Sequence, residues 1–419
     1  MWSHVYVSIA AVALSVGPLR AQSTIQWIGL APTLRNANAD AVSADGSVIV
    51  GTGNGPSGVN ILAYVWSSAT GSILVPPLPG FTLVSATGVS GDGDLVVGTC
   101  FSDDIVMTQA YSWAWQSGVP PTALPIPVGD DRGFAYRISR DGSTIVGSTS
   151  NDAPPNNADH AAMWRAGAVT LLGSIPPYTN SRAIGVSADG SVIVGNLYDP
   201  IAQRGAAFRW TAAEGMVLLA GLSATRSTDV EGVSDDGRVA VGSSSPALNI
   251  NRLVRWHEAG PPEVLSPQIS GVGAMAVSAD GRVIVGSGGN SAWLYSDQTG
   301  LVNLAPFLTS RGIDLHGWSL FACQNITPDG QYLVGDGWNG STTSNNPVPW
   351  RVVLPGVLCY ANCDASAAVP ILNVNDFICF LNRLAAEDAY ANCDGSTVPP
   401  VINVLDYICF LNKFAAGCP

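Results

Sequence analysis

The sequence predicts an all-β fold, a seven-bladed β-propeller of repeats about 47 residues long, with a small α-helical domain after it. Three observations carry this. One phrase returns seven times: AVSADGSVIVG (41–51), GVSGDGDLVVG (88–98), RISRDGSTIVG (137–147), GVSADGSVIVG (185–195), GVSDDGRVAVG (232–242), AVSADGRVIVG (276–286) and NITPDGQYLVG (325–335). Its aspartates, Asp45, Asp92, Asp141, Asp189, Asp236, Asp280 and Asp329, lie 47, 49, 48, 47, 44 and 49 residues apart. A different repeat, with an offset of 30, fills the C-terminal end.

The first 21 residues read as an export signal. VYVSIAAVALSV (5–16) is an apolar run short for a bilayer span, and small residues follow, with cleavage expected after Ala21. No later stretch is long and apolar enough to span. The propeller is expected over 22–355 and the helical domain over 356–419, in a secreted or surface-held protein.

Each propeller module carries three phrases. An apolar piece ends near proline or glycine, as in ILVPPLPG, VTLLGSIPP and LVNLAPFL. The Asp-Gly phrase reads as two strands around a tight turn. Asp-Gly suits a two-residue hairpin loop, whose central positions both need φ > 0. Val and Ile after it suit a half-buried strand, and the closing glycine marks a bend or close backbone approach. The third phrase is a small residue followed by an aromatic: AYVW, AYSW, AAMW, AFRW, LVRW, AW and VPW, ending at Trp66, Trp113, Trp164, Trp210, Trp256, Trp293 and Trp350. Four strands result, the content of one blade. A single such sheet leaves its faces bare; stacking covers them, and closing the ring removes the ends. TIQWIGLAP (24–32) precedes the first module and PWRVVLPG ends the last, so one terminus can complete the other's blade. An open solenoid would need polar end modules as caps, and neither end is unusually polar.

One tryptophan per module reads as a core wedge between blades rather than a sugar-stacking row. The seven aspartates read as turn residues, because catalysis needs an asymmetric constellation and these are equivalent by repetition. The formal net charge is −13, and arginine supplies 17 of the 18 basic residues, Lys413 being the one lysine. An acidic surface repels phosphate backbones, which argues against nucleic acid. His4, His160, His257 and His316 show no zinc spacing, and neither a G-x-S-x-G elbow nor a phosphate loop occurs. Asp103–Asp104, Asp130–Asp131, Glu214, Glu231, Glu258 and Glu263 are the acids outside the turns that a propeller mouth would have to bring together for acid–base chemistry.

In the C-terminal end, YANCDASAAVPILNVNDFICFLNRLAA (360–386) aligns with YANCDGSTVPPVINVLDYICFLNKFAA (390–416). The second half of each unit has a helical period, with Phe377, Phe380, Leu381 and Leu384 on one face, and Tyr407, Phe410, Leu411 and Phe414 likewise. The first half is rich in oxygen donors: Asn362, Asp364, Ser366, Asn373 and Asp376, then Asn392, Asp394, Ser396, Asn403 and Asp406. Alternating oxygens before a helix-start carboxylate suit a hard cation such as Ca2+. With two carboxylates per loop and an asparagine first, the expected affinity is weak. The competing reading leaves the loops empty and stapled by disulfides. Six of the eight cysteines crowd here: Cys359, Cys363, Cys379, Cys393, Cys409 and Cys418. In an exported chain they read as disulfides, Cys359 with Cys418 clipping the ends and the other four pairing within or across units. Cys100 and Cys323 stand apart.

Two resemblances follow from these residues. The modules, GAAFRWTAAEGMVLLAGL (205–222) above all, resemble the extracellular HAF repeat family; HAAMW keeps the family's histidine as His160. The resemblance covers about 25–355 and implies no activity. Residues 357–419 resemble the cysteine-bearing dockerin-like anchors of planctomycete-type exported proteins. That resemblance implies a duplicated F-hand, calcium loops and docking to a cohesin-like or surface receptor. The expected function is therefore a non-catalytic binding or scaffold module, its propeller taking an unidentified protein or glycan. The alternative is a carbohydrate-active enzyme, a glycoside hydrolase or lyase, on the same propeller.

Overall fold

The computed structural model describes residues 25–55, 61–102, 110–151, 158–266, 272–338, 346–354, 363, 372–386, 391, 393 and 402–416. The export-signal reading of 1–21 falls outside them.

Seven four-stranded antiparallel sheets form the propeller. In six, the strands follow chain order from the inner strand outward; blade 1 runs Asn36–Val42, Val48–Asn54, Ile61–Ser67 and Gly71–Leu74. The inner strands of blades 2 to 7 are Leu83–Val89, Arg132–Ile138, Asn180–Val186, Thr228–Val233, Val272–Val277 and Ser319–Ile326. Blade 7 takes its outer strand from the other end of the chain: Ile25–Trp27 pairs with Val348–Val353 in the register Ile25↔Val352, Gln26↔Arg351, Trp27↔Trp350. The ring is closed, as the flanking phrases implied. A short helix, α1 (Leu304–Ser310), leads from blade 6 toward blade 7.

The Asp-Gly turn is not the two-residue hairpin that its sequence suggests. Ser43 N–H donates to Val48 O (2.9 Å) and Gly46 N–H to Ser43 O (3.1 Å), so four residues, 44–47, connect the strands. Only Gly46 has positive φ, 71°. The aspartate works through its side chain instead. Asp45 Oδ1 accepts from Ser43 Oγ (2.7 Å) and Ser47 N–H (2.9 Å), while Ser43 Oγ accepts from Val48 N–H (3.0 Å). This serine–aspartate lock recurs in every blade, with Thr327 replacing serine in blade 7. Adjacent turns are tied by backbone bonds: Ala44 N–H to Gly91 O, Gly91 to Arg140, Asp141 to Ala188, Ala188 to Asp235, Asp235 to Ala279 and Ala279 to Pro328. The seventh junction falls at Pro328, which has no N–H to give. There Arg351 Nη1 donates to Gly46 O (2.6 Å), Arg351 Nη2 to Gln26 Oε1 (2.6 Å) and Ala39 N–H to Asp336 Oδ1 (3.0 Å).

The tryptophans are core, but they occupy two places and not one. Trp66, Trp164, Trp210 and Trp256 pair with Ile49, Ile145, Ile193 and Ala240. Trp113, Trp293 and Trp350 pair with Gly98, Gly286 and Gly335, two residues earlier in the register. Positions two apart share a strand face, so either choice fills the space between blades. Trp210 is half-buried and the other six are buried.

In the C-terminal region two helices are described, α2 (Val374–Ala385) and α3 (Val404–Ala416). Phe380 and Phe410 are fully buried and stack at 4.0 Å between ring centroids. Each unit is bridged within itself, Cys363–Cys379 and Cys393–Cys409. Cys359 and Cys418 lie outside the described residues. Leu381 and Leu411, expected on the packed face, are exposed by 38% and 36%.

Candidate functional site: the central channel

Every inner strand carries a β-bulge at the same place. The register slips around Asp40, Thr87, Tyr136, Ile184, Glu231, Met275 and Gln324. A bulge adds one residue to one strand and re-aims its side chain. All seven of these residues are half-buried, though the fold around them repeats and their chemistry does not. Blades 1, 5 and 7 carry Asp40, Glu231 and Gln324; blades 4 and 6 carry Ile184 and Met275.

At the next position four of the seven copies, Ala41, Gly88, Gly185 and Gly232, are small, as is Ala276; the exceptions are Arg137 and Asn325. Arg137 reaches inward, its Nη1 donating to Thr87 O (2.9 Å) and Tyr136 O (3.0 Å). Burial pushes its guanidinium below the ordinary arginine value, and the nearby Asp40 and Glu231 carboxylates oppose that. Arg137 forms no ion pair with either acid, although both are close enough to feel its charge.

The carboxyls are perturbed the other way. Burial, with Asp336 adding its charge, raises Asp40 to about 7 despite hydrogen bonds from Thr52. Burial raises Asp336 to about 6, against bonds from Gln324 Nε2 (3.0 Å) and Ala39 N–H. Burial and Asp229 raise Glu231 to about 7. Nearer the turn face, Arg140 Nε pairs with Asp235 Oδ1 at 2.6 Å, spanning blade 4. A cavity of about 100 Å³ is lined by Arg137, Glu231, Arg140 and Asp235 and walled by Val42, Val89, Ile138, Val186, Val233 and Val277.

These titrations set a pH dependence. A carboxyl with a raised folded-state pKa stabilises the fold while protonated, and that stability is lost as pH rises through the raised value. The turn aspartates work below that window: the Ser90 hydroxyl and Asp94 N–H hold Asp92 below its usual value, and Ser191 does so for Asp189. Thermal stability is therefore expected to peak near pH 4 and to fall between about pH 4 and 7 by at least ~1.4 kcal/mol, the equivalent of one pKa unit. Asp40→Asn should flatten the fall. Melting curves that are level or rising over that window would contradict the channel's electrostatics.

The other sequence candidates lie elsewhere. Asp130 is buried and accepts from Thr149 Oγ1 (2.5 Å), with His160 Nδ1 at 3.0 Å from Oδ2. Asp131 is exposed. Glu214 meets Arg209 (3.2 Å) on the surface. Glu263 meets Arg255 (2.5 Å), which also holds Asp297 (2.9 Å). Glu258 sits at a turn with φ 53°. Asp103 and Asp104 lie outside the described residues. Cys100 and Cys323 are unpaired and fully buried, and burial raises both thiols. Sequence reading placed Glu231 among scattered acids and passed over Asp40, Arg137 and Asp336. The available signal was the departure of RISRDG and GVSDDG from the repeated phrase.

Of the ten expected cation ligands, Asn362, Asp364, Ser366, Asn392, Asp394 and Ser396 lie outside the described residues. The other four form matching helix starts. Asp376 Oδ2 accepts from Asn373 N–H and Asp406 Oδ2 from Asn403 N–H, both at 2.8 Å. Asn373 Oδ1 accepts from Asn375 N–H and Asn403 Oδ1 from Leu405 N–H, also at 2.8 Å. Both carboxylates are fully buried. Among the described residues no helix is long and apolar enough to cross a membrane.

No protein family matches the sequence, and no curated protein matches it. Solved structures resemble it in shape. An oligogalacturonate lyase from Vibrio parahaemolyticus is 12% identical over 80% of this chain and 95% of its own, with a TM-score of 0.52. The WD40 β-propeller domain of Doa1 is 12% identical over 83% and 99%, TM-score 0.47. TolB from Acinetobacter baumannii is 15% identical over 54% of this chain, which spans about half (53%) of that protein, TM-score 0.40. At these identities the likeness to the lyase is one of fold and the other two are fainter: the chain has the fold of a seven-bladed β-propeller.

Proposed function

We propose that the chain is an exported binding module: an HAF-type propeller that takes its ligand at the channel, carried on a dockerin-like domain that docks to a cohesin-like surface receptor. One observation carries the docking half. Val374, Ile378 and Leu381 on α2 are exposed by 66%, 49% and 38%, and their counterparts Val404, Ile408 and Leu411 on α3 by 66%, 46% and 36%. Steps of four and three residues put each trio on one helix face. Both units thus turn aromatics inward and leave an aliphatic stripe to solvent, in duplicate. Single exposed aliphatics are ordinary, whereas a patterned stripe marks a contact surface. The fully buried Asp376 and Asp406, each closing an oxygen-rich loop, fit a weakly held Ca2+ that would order the loops.

The test is binding of the full chain to cell-envelope fractions of the organism that makes it. Ile378→Asp with Ile408→Asp should weaken binding about 100-fold or more, since burying each isoleucine is worth ~1.5–3 kcal/mol. The propeller's melting temperature should not move, and chelation should weaken binding of the unaltered chain. Equal binding by the double variant, or none by the unaltered chain, overturns the docking half.

A carbohydrate-active enzyme is the second reading, favoured by His160, whose ring is oriented by buried Asp130. Polysaccharide turnover abolished by Asp130→Asn would establish it in place of the binding module.

A further inference from the structure

We infer that the channel binds a compact zwitterion of the α-amino-acid type, with its carboxylate on Arg137 and its ammonium group on Glu231. The proposal rests on the binding-module reading of the propeller and makes no use of the C-terminal stripes.

The repeats provide the control. In the turn, the residue before aspartate is Ala44, Gly91, Ala188, Ala279 or Pro328 in five blades, and Arg140 or Asp235 in the others. Just after the bulge it is alanine or glycine in five blades, and Arg137 or Asn325 in the others. A module copied for shape needs none of these four departures. All four line one cavity, together with Glu231. They come from blades 3, 5 and 7, while the cavity walls from blades 2, 4 and 6 are glycine, alanine, valine and Met275.

The inner strands run toward the turn face, so Arg137 and Glu231 lie deeper than the valine collar, and Arg140 and Asp235 lie at the mouth. The mouth pair satisfies itself at 2.6 Å. The deeper pair does not. Arg137 spends Nη1 on two backbone carbonyls, and among the described residues Glu231 receives no hydrogen bond or ion pair. A guanidinium with donors left over and a carboxyl with acceptors left over share the wall of one cavity without touching.

The ligand follows from that arrangement. A lone anion would satisfy Arg137 and meet Glu231, with Asp40 beyond, at like charge. A lone cation would meet Arg137 at like charge. A molecule with both groups answers both walls through charge-assisted hydrogen bonds. Size fits the class: about 100 Å³ holds roughly seven water-sized groups, room for a small amino acid between the two walls. The valine collar accepts a short aliphatic side chain.

The test is calorimetric titration of the full chain at pH 7.5 with L-alanine, acetate and ethylammonium. L-alanine should bind with a dissociation constant of about 1 mM or tighter, and each half-ligand at least tenfold more weakly. Arg137→Gln and Glu231→Gln should each weaken L-alanine at least tenfold. Glu231→Gln removes a destabilised carboxyl, so its melting temperature should hold or rise, which separates lost binding from lost folding. No heat with L-alanine, acetate binding as tightly as L-alanine, or unaltered affinity in Glu231→Gln would each overturn the proposal. Docking to the envelope would stand or fall separately.

Discussion

Gly147→Ala is expected to destabilise the propeller by about 3 kcal/mol or more, at the upper end of overpacking costs. A Cβ at Gly147 would sit 1.8 Å from Phe134 O, 2.9 Å from Phe134 C and 3.1 Å from Ala135 Cα. These are backbone atoms of the inner strand and cannot rotate away. The cause lies in the bulge. Gly147 pairs with Ala135, and the register slips at the next residue, Tyr136. The strand that bulges drives the carbonyl just before that pair over the glycine. The other six glycines that close the repeated phrase meet the same obstacle: Gly51 and Gly98 at 1.9 Å, Gly195 and Gly335 at 2.0 Å, Gly242 and Gly286 at 2.1 Å, each from an inner-strand carbonyl. Gly29→Ala is the control, with nothing within 4 Å of the added carbon. Denaturant titration of the two variants reads the difference; equal midpoints would mean that the glycine does not serve the bulge.

That link explains how far the sequence could be read. The phrase ending in glycine announced blade number and spacing, because the glycine is forced by backbone contact and such contact repeats with the fold. The tryptophans could not be aligned by eye. Trp113 and Trp164 look equivalent, yet one pairs with Gly98 and the other with Ile145. A strand face has period two, so a shift of two residues leaves the hydrophobic pattern unchanged. The Asp-Gly turn misled for a related reason. Asp45 earns its place by accepting from Ser43 and Ser47, a side-chain role that the dipeptide does not advertise.

The channel was harder to read than the blades. Asp40, Arg137 and Glu231 lie 97 and 94 residues apart in the chain and share no motif; ring closure alone brings blades 1, 3 and 5 around one axis. Bulges are invisible in composition, so nothing marked Asp40 as more than a polar residue in a strand. Arg137 was visible only as a copy that failed to match its siblings. In the C-terminal units the helical period was legible, but it did not separate Leu381 from the packed face, because i and i+4 positions flank the aromatic row on both sides.

Joining Gln26 to Arg351 by a disulfide carries the other large effect. The two residues are register partners, and their side chains already meet at 2.6 Å. They lie 325 positions apart in the chain. Closing a loop of that size restricts the unfolded chain by ~6 kcal/mol on the chain-entropy relation. Losing Arg351 removes its bond to Gly46 O and its stacking on Trp66 and Tyr332, at 5.0 and 5.2 Å, which offsets roughly 1–2 kcal/mol. A net gain in stability is expected in the oxidised form, reversed by reductant.

The same variant, Gln26→Cys with Arg351→Cys, bears on whether the seven sheets encircle one axis at all. The measurement is peptide mass spectrometry of the oxidised, monomeric protein without reduction. A closed ring predicts one peptide in which residues 26 and 351 are joined within a single chain. Free thiols at both positions, or bonds only between chains, would mean that the two ends never meet, and the channel with its convergent charges would not exist.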